Sequence, residues 1–269
     1  MFAHRTHTSL PTRITSSGNA LLKEVRRAGE RGVPTSSGLA IAETFHLLNE
    51  AMRSQCDIEC VLFSESGWAE SEGRDQHLPD TRLILIPDAV FASVASTEHS
   101  QGVIALVRPR AHEPEALFNE SSLLAVLDGV QDPGNAGTIM RAAEAFGATG
   151  LIALKGTVNL LNPKVIRASA GSVFRLPMIS GMDEESAMSL LGRHEVSLQA
   201  AMPRSSITVS DVDFRVACAV IVGSEGRGVS DRMSAASAHF RIPISGVESL
   251  NAAMAASIVL YEASRQRRA

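Results

Sequence analysis

The 269-residue sequence has few cysteines, few aromatic residues and no long apolar run. Three cysteines, Cys56, Cys60 and Cys218, are too few for a disulfide framework in a chain of this size. Because no second Cys/His pair follows at zinc spacing, we expect buried, reduced thiols and no metal site. No apolar segment approaches the roughly 20 residues of a membrane span, and the polar start, Met1–Arg13, lacks a signal peptide's apolar core. We therefore expect a cytoplasmic protein without membrane contact.

The sequence also lacks an excess of positive charge. Its 25 Lys and Arg residues face 29 Asp and Glu residues, which gives a net charge of −4. Nucleic-acid-binding proteins usually have a basic footprint, so the overall charge does not by itself indicate one. Basic residues nevertheless cluster early in the chain, at Arg13, Lys23, Arg26, Arg27 and Arg31. This cluster predicts either a local RNA-binding face or the solvated face of an amphipathic helix.

Apolar residues make up 45% of the chain, enough for an ordinary core, and the length favours two domains. In the N-terminal part, the patterns predict helices over 19–28, 40–52 and 88–95, and strands over 58–63, 83–86 and 101–109. Leu22, Val25 and Ala28 form the apolar stripe of the first helix. We expect a small α/β domain over 1–112 and a polar linker over 113–121.

From residue 122 the pattern restarts with more strongly apolar strands, predicted over 123–127, 150–154, 197–201 and 217–222. A loop and a helical segment follow each strand. This alternation predicts an α/β domain over 122–269, with a mostly parallel sheet covered on both faces. Ligands of such sheets bind just beyond the carboxyl ends of the strands. The chemistry should therefore lie in the loops that follow these strands.

The first of three notable loops follows the strand at 123–127 and runs into a helix. Asn135 is of a type that caps helices, and Arg141 lies about two turns further along. Two interpretations stay open for this loop: a tight turn with a surface arginine, or a polar site.

The second and third loops are equally ambiguous when each is taken alone. Gly223-Ser-Glu225-Gly-Arg-Gly228 can be a plain glycine turn, or a place where the backbone passes close to a ligand. Glu225 there can cap the next helix, accept backbone amides or take part in chemistry. Ser249 and Asn251 stand at the mouth of a terminal helix predicted over 252–265. Either Ser249 simply caps this helix, or the two side chains position a polar ligand.

Taken in order, the three loops resemble the three motifs of the SpoU family of SPOUT methyltransferases. These are Asn-x-Gly-x-x-x-Arg at 135–141, Gly-Ser-Glu-Gly-x-Gly at 223–228, and Ile-Pro-Ile followed by Ser-Leu-Asn at 242–251. The likeness covers about residues 121–267, including the segment 162–177. Residues 17–26 and 101–105 are similar to the substrate-binding domain, related to a ribosomal-protein fold, that precedes many SpoU enzymes. Glu43-Thr44 stands where those relatives often have Glu-Gly.

The resemblance implies a deep trefoil knot in the C-terminal α/β domain and a homodimer with its sites at the subunit interface. It also implies methyl transfer from S-adenosylmethionine to a ribose 2′-hydroxyl of RNA. Under this hypothesis the catalytic residues are Arg141, Asn135, Ser249 and Asn251. The cofactor-binding residues are Gly223, Glu225, Gly228, Ile242 and Leu250.

An arginine side chain stays protonated in proteins, so we expect Arg141 to grip a phosphate and orient the hydroxyl rather than act as a base. The candidate RNA contacts are Lys23, Arg26, Arg27 and Arg167. Ribosomal RNA is the favoured substrate. The alternatives are a transfer RNA methyltransferase and an inert RNA-binding or assembly module. A nucleotide-dependent oxidoreductase is disfavoured, because no Gly-x-Gly-x-x-Gly turn follows the strand at 123–127.

Overall fold

A computed structural model describes residues 11–71, 81–97 and 99–268 of the chain. Most of the polar start, Met1–Arg13, and residues 72–80 therefore lie outside the described residues. The chain divides into two compact units, Met1–Arg110 with Leu161–Pro163, and Ala111–Leu160 with Lys164–Ala269. None of the described helices is long and apolar enough to cross a membrane.

The first unit is built on a five-stranded mixed sheet with the strand order β1-β4-β3-β5-β2. In chain order its elements are β1 (Thr12–Arg13), α1 (Ala20–Arg31), β2 (Ala40–Glu43), α2 (Phe45–Arg53), β3 (Asp57–Ser64), α3 (Glu65–Ser71), β4 (Arg82–Ile86), α4 (Asp88–Ala92) and β5 (Val103–Arg108). β5 runs antiparallel to β3 and β2, and the other pairs are parallel. The predicted stripe of α1, formed by Leu22, Val25 and Ala28, is buried in the core of this unit.

The predicted helix over 40–52 is wrong at its start. Ala40–Glu43 forms strand β2 against β5, and the helix α2 begins only at Phe45. All four strand residues are buried, and a short apolar run by itself does not distinguish a buried strand from a helix. Thr44 separates the two elements with φ 140° and ψ 153°, and its hydroxyl oxygen caps α2 by accepting from the Leu47 amide.

Substitutions of Thr44 test this turn. Its backbone conformation costs a residue with a Cβ about 1–3 kcal/mol, whereas glycine adopts it freely. We expect Thr44→Gly to raise the free energy of unfolding by about 1 kcal/mol. The relief of backbone strain outweighs the few tenths of a kcal/mol that a glycine N-cap costs. Thr44→Ala removes the cap and keeps the strain, so it should lower that free energy by about 1 kcal/mol. Urea denaturation of the full chain measures both, and a less stable Thr44→Gly would contradict this account.

The second unit is built on a six-stranded, all-parallel sheet with the order β11-β9-β10-β6-β7-β8. From residue 123 onward the elements are β6 (Leu123–Asp128), α5 (Pro133–Ala145), β7 (Gly150–Leu154), α6 (Pro163–Ser169), β8 (Met178–Met182), α7 (Glu184–Arg193), β9 (Ser197–Ala201), β10 (Cys218–Gly223), α8 (Asp231–Ala235), β11 (Ala238–Phe240) and α9 (Ala252–Arg268). The predicted parallel sheet and its four apolar strands are confirmed. Strands β8 and β11 were not predicted, because these edge strands carry exposed residues and lack a continuous apolar run.

Residues 113–121 contain a short 3-10 helix, Pro114–Leu117. The Leu117 side chain is fully buried in the core of the second unit. It fits beside Gly150 at the start of β7, where a Cβ would lie 2.5 Å from the Leu117 Cγ. This segment therefore packs as part of the second unit.

Cys60 and Cys218 are buried and all three cysteines are unbridged. Burial raises the pKa of the Cys60 thiol to about 11, so this group stays protonated at neutral pH. In the part of the chain that the structure describes, no group of three or more His, Cys, Asp or Glu side chains is arranged to hold a metal ion.

Candidate active site

The three motifs meet at the carboxyl ends of the second sheet. β6 and β10 are neighbours in parallel register, and their last residues, Asp128 and Gly223, are paired. The first two motif loops therefore leave the sheet side by side. The third motif leads into α9, which packs against both α5 and β10. Asn135 in the first loop and Glu225 in the second are 90 residues apart in the sequence, and the sheet brings the two loops together.

A chain of hydrogen bonds joins one side chain from each motif. The Asn135 Nδ2 donates to the Glu225 Oε1 at 2.7 Å, and the Asn251 Nδ2 donates to the Asn135 Oδ1 at 3.0 Å. The Asn251 Oδ1 in turn accepts from the amides of Ala253 and Met254 in α9. Because backbone amides can only donate, this arrangement fixes the orientation of both asparagine side chains. We call these three residues the interlock.

Helix capping falls to residues other than those the sequence suggested. The N-cap of α5 is Asp132, whose carboxylate accepts from the Asn135 amide at 2.7 Å, so Asn135 lies inside the first turn. At α9 the capping side chain is Asn251 rather than Ser249. Glu225 takes neither suggested structural role, because it binds the Asn135 side chain. Asp132 was missed as a cap, although Asp directly before Pro is a common start of a helix.

The second motif forms a closed, narrow loop. The backbones of Ser224 and Gly228 exchange two hydrogen bonds, of 3.0 and 2.9 Å, and Gly228 has a φ of 71°. A Cβ on Gly223 would lie 2.1 Å from the Gly228 carbonyl carbon, so this close approach requires glycine. The buried Asp128 carboxylate accepts from the Ser230 amide at 2.7 Å and ties the loop's far end to β6. Sequence reasoning did not single out Asp128.

Two adjoining clefts open at this edge of the sheet. The larger has a volume of about 610 Å³ and the smaller about 270 Å³, and both are lined by Ala201, Pro203, Ser249, Leu250 and Ala255. The predicted cofactor residues all line one or both of them: Gly223, Glu225, Gly228 and Leu250 the larger, and Ile242 and Leu250 the smaller. Asn251 also lines the larger cleft. Clefts of this size, with glycine backbone beside apolar side chains, suit a nucleoside-sized ligand.

Arg141 lies on α5 with its side chain exposed. Within residues 11–71, 81–97 and 99–268 its guanidinium has no hydrogen-bond or ion-pair partner. It lies on the same helix as Asn135, about two turns further on, so the interlock holds the helix that carries it. This leaves all of its N–H groups available for a ligand.

The predicted RNA-binding residues differ in their surroundings. Lys23 and Arg27 are exposed on α1. Arg26 instead donates to the Ser93 carbonyl at 2.7 Å and to the Ser93 hydroxyl at 2.6 Å, so it fixes α1 within its own unit. Arg167 is half-buried on α6.

Comparison with known proteins agrees with this arrangement of motifs. The sequence profile of the SpoU rRNA methylase family matches residues 122–261, and that of an MRM3-like substrate-binding domain matches residues 19–105.

The chain belongs to the SpoU methylase family.

Relatives of this SpoU protein match it along almost its whole length. An uncharacterized tRNA/rRNA methyltransferase of Synechocystis is 33% identical over 94% of both chains. The 23S rRNA (guanosine(2553)-2′-O)-methyltransferase RlmP of Bacillus subtilis is 28% identical over 92% of this chain and 97% of that one. An AdoMet-bound rRNA methyltransferase of Sinorhizobium meliloti superposes with a TM-score of 0.83, at 25% identity over 94% and 97% of the two chains. The predicted family, reaction and cofactor are confirmed: this is an S-adenosylmethionine-dependent RNA 2′-O-ribose methyltransferase.

Asn135→Asp tests the interlock in this SpoU enzyme. The new carboxylate keeps the shape of the side chain but faces the Glu225 carboxylate, to which Asn135 now donates. We expect kcat to fall about 100-fold, the loss typical of a small misplacement in an active site. Adding Glu225→Gln supplies a donor to the new aspartate, so the double variant should recover most of that loss. A double-mutant cycle on kcat measures the coupling, and additive losses would contradict it.

Proposed function

We propose that this SpoU methyltransferase modifies ribosomal RNA, with the cofactor in the two adjoining clefts and the target ribose beneath Arg141. The interlock is the observation that carries the catalytic part of this proposal, because it ties the helix bearing Arg141 to the loop that lines the larger cleft. The ribosomal target is supported by the Bacillus subtilis relative, which is named for 23S rRNA and is matched over 97% of its length.

The residues at the clefts fit the cofactor. Gly223 lets the motif loop fold back where any Cβ would collide with it, and the backbone of this closed loop then lines the larger cleft, where it can contact an adenine. Ile242 and Leu250 offer apolar contact for its ring. When bound, S-adenosylmethionine supplies an electrophilic methyl group on a sulfonium centre. Glu225 contributes to the site by accepting a hydrogen bond from Asn135, which holds the motif loop against α5.

This chain's own part in the reaction is positioning and charge stabilisation. The guanidinium of Arg141 offers a planar fork of donors for the phosphate next to the target nucleotide. Gripping that phosphate aims the 2′-hydroxyl along the line of attack, and the same positive charge stabilises the alkoxide character that its oxygen gains as the hydroxyl proton passes to solvent water. Ser249, which lines both clefts, can offer a hydroxyl donor to the target ribose. Asn251 fixes the start of α9 and, through Asn135, the arginine helix.

The N-terminal α/β unit is assigned to RNA binding, with Lys23 and Arg27 as its phosphate contacts. Both side chains are exposed on one helix, where they can reach a backbone. Arg26 acts indirectly by anchoring α1 to Ser93. An RNA role for Arg167, the ribosomal-protein-like fold of this unit and the cytoplasmic location stay predictions.

The homodimer and the trefoil knot belong to the same proposal. Met254, Ile258 and Tyr261 are exposed at helical spacing on α9, and such an apolar stripe favours burial against another protein surface. Light scattering of the purified chain tests for the dimer. The knot is implied by the family resemblance and stays a prediction.

Mapping 2′-O-methyl groups in total RNA, from cells with and without this protein, tests the target. A site in ribosomal RNA that disappears with the protein supports the proposal. A site that disappears only from transfer RNA would establish the alternative substrate. Unchanged ribosomal and transfer RNA, together with S-adenosylmethionine binding by the purified protein, would contradict both substrates.

A further inference from the structure

Many arginines of the second unit are engaged within the fold. Four pair with carboxylates: Arg175 with Glu144, Arg215 with Asp213, Arg232 with Glu185 and Arg265 with Glu262. Arg267 donates to backbone carbonyls, including those of Phe214 and Val216. In a chain with a net charge of −4, such pairing leaves few cations available for a polyanion.

Three other arginines, Arg204, Arg227 and Arg241, are exposed. Their guanidinium groups have no hydrogen-bond or ion-pair partner in the described part of the chain. Although they are far apart in sequence, all three belong to segments that border the two adjoining clefts. Arg227 lines the larger cleft, Arg241 lines the smaller one, and Arg204 directly follows Pro203, which lines both.

Hydrogen bonds hold the backbones of Arg227 and Arg241 in place. The Arg227 amide donates to the Ser224 hydroxyl oxygen at 3.2 Å within the closed motif loop. The Arg241 amide donates to the Ile207 carbonyl at 2.8 Å, which joins its strand to the segment that carries Arg204. Because these backbones are ordered, only side-chain freedom is lost when a ligand binds.

The charge at this opening is positive. Of the residues that line the two clefts, Glu225 and Glu248 are the carboxylates, and Glu225 already accepts from Asn135. The three guanidinium groups and the two carboxylates leave a net charge of +1 at this opening, three positive charges against two negative ones. Planar guanidinium forks match the oxygens of phosphate groups.

We propose that Arg204, Arg227 and Arg241 form a phosphate-binding rim that holds the unpaired RNA strand on both sides of the target nucleotide. The inference rests on the proposed function, because the strand must enter here for its 2′-hydroxyl to reach the cofactor clefts. Unpaired RNA is the fitting partner, since its 2′-hydroxyls and backbone are accessible where a duplex would hide them. The rim acts together with Arg141, which binds the phosphate next to the target nucleotide.

The test compares two triple variants of the full chain that remove equal charge. One is Arg204→Ala/Arg227→Ala/Arg241→Ala. The control is Arg193→Ala/Arg215→Ala/Arg232→Ala, whose arginines are exposed and line neither cleft. Binding to an in vitro transcribed 23S ribosomal RNA is measured across a salt series, and binding of S-adenosylmethionine is measured by calorimetry.

We expect the rim variant to bind the RNA at least about 10-fold more weakly than the control, with a slope of log K against log salt that is smaller by about 2. The Kd for S-adenosylmethionine should stay within about twofold of the parent value. The variant Arg204→Lys/Arg227→Lys/Arg241→Lys keeps the charge and should recover the salt slope.

Equal RNA affinity and equal salt slopes in the two triple variants would overturn the proposal, because the rim would then act only through net charge. A parallel loss of S-adenosylmethionine binding in the rim variant would also overturn it, since the arginines would then hold the cofactor's carboxylate. Absence of methylation by the parent protein would count against the proposed ribosomal target instead. The affinity comparison separates that failure from failure of the rim.

Discussion

Arg141→Ala is expected to lower kcat about 100- to 1,000-fold, the usual loss when one preorganised charge is removed from a transition state. The Kd for S-adenosylmethionine should stay within about twofold, because Arg141 is not among the residues that line either cleft. Single-turnover methylation of the target RNA, beside calorimetric titration with the cofactor, separates the two quantities. The structural reason for a large effect is that the interlock holds the arginine's helix while its side chain stays available.

Arg141→Lys distinguishes a phosphate clamp from a simple point charge. Lysine keeps the positive charge but not the planar fork, so the clamp predicts that most of the loss persists. Arg193→Ala is the matched control, because it removes an exposed arginine of the same unit that lines neither cleft. If Arg141→Ala kept near-normal turnover on the target RNA, both the clamp and the general-base roles would be ruled out.

Gly223→Ala is expected to weaken S-adenosylmethionine binding about 10- to 100-fold, a cost of roughly 1.4–2.8 kcal/mol. The added Cβ would lie 2.1 Å from both the Gly228 carbonyl carbon and the Val229 amide nitrogen. These are backbone atoms, which cannot swing away as a flexible side chain does, so the loop lining the larger cleft must shift. Calorimetric titration measures the affinity directly.

The same substitution at Gly192 is the control for Gly223→Ala. Gly192 lies on α7, and a Cβ there would meet nothing within 4 Å. Alanine also favours a helix by about 1 kcal/mol over glycine, so Gly192→Ala should leave cofactor binding intact and should not destabilise the chain. Unchanged cofactor affinity in Gly223→Ala would show that the motif loop can move aside without cost.

The local elements followed from the sequence wherever short-range forces dominate. The apolar strands at 123–127 and 217–222 were predicted because a strand buried on both faces needs a continuous apolar run. The α1 stripe was predicted because one helix face must pack on the core. The edge strands β8 and β11 were not predicted, because their partly exposed residues do not form a continuous apolar run.

The start of α2 shows a different limit of predicting secondary structure from local sequence. Ala40–Glu43 has no pattern that separates strand from helix, and pairing with β5 decided the outcome. β5 lies about sixty residues further along, so no local window contains its contribution. The unusual backbone of Thr44 is a consequence of that long-range pairing together with the cap on α2.

The sequence by itself determined the parallel sheet, the three motifs and, through their order, the family and the reaction. Only the tertiary structure decided which side chains work together. Taken one at a time, the three residues of the interlock suggest a helix cap (Asn135), a loop anchor (Glu225) and the start of a helix (Asn251). They bind one another because β6 and β10 end side by side. The arginine rim arises in the same way. Hydrogen bonds and charge contacts act over a few ångströms in space, whereas the residues that make them are separated by up to 116 positions along the chain.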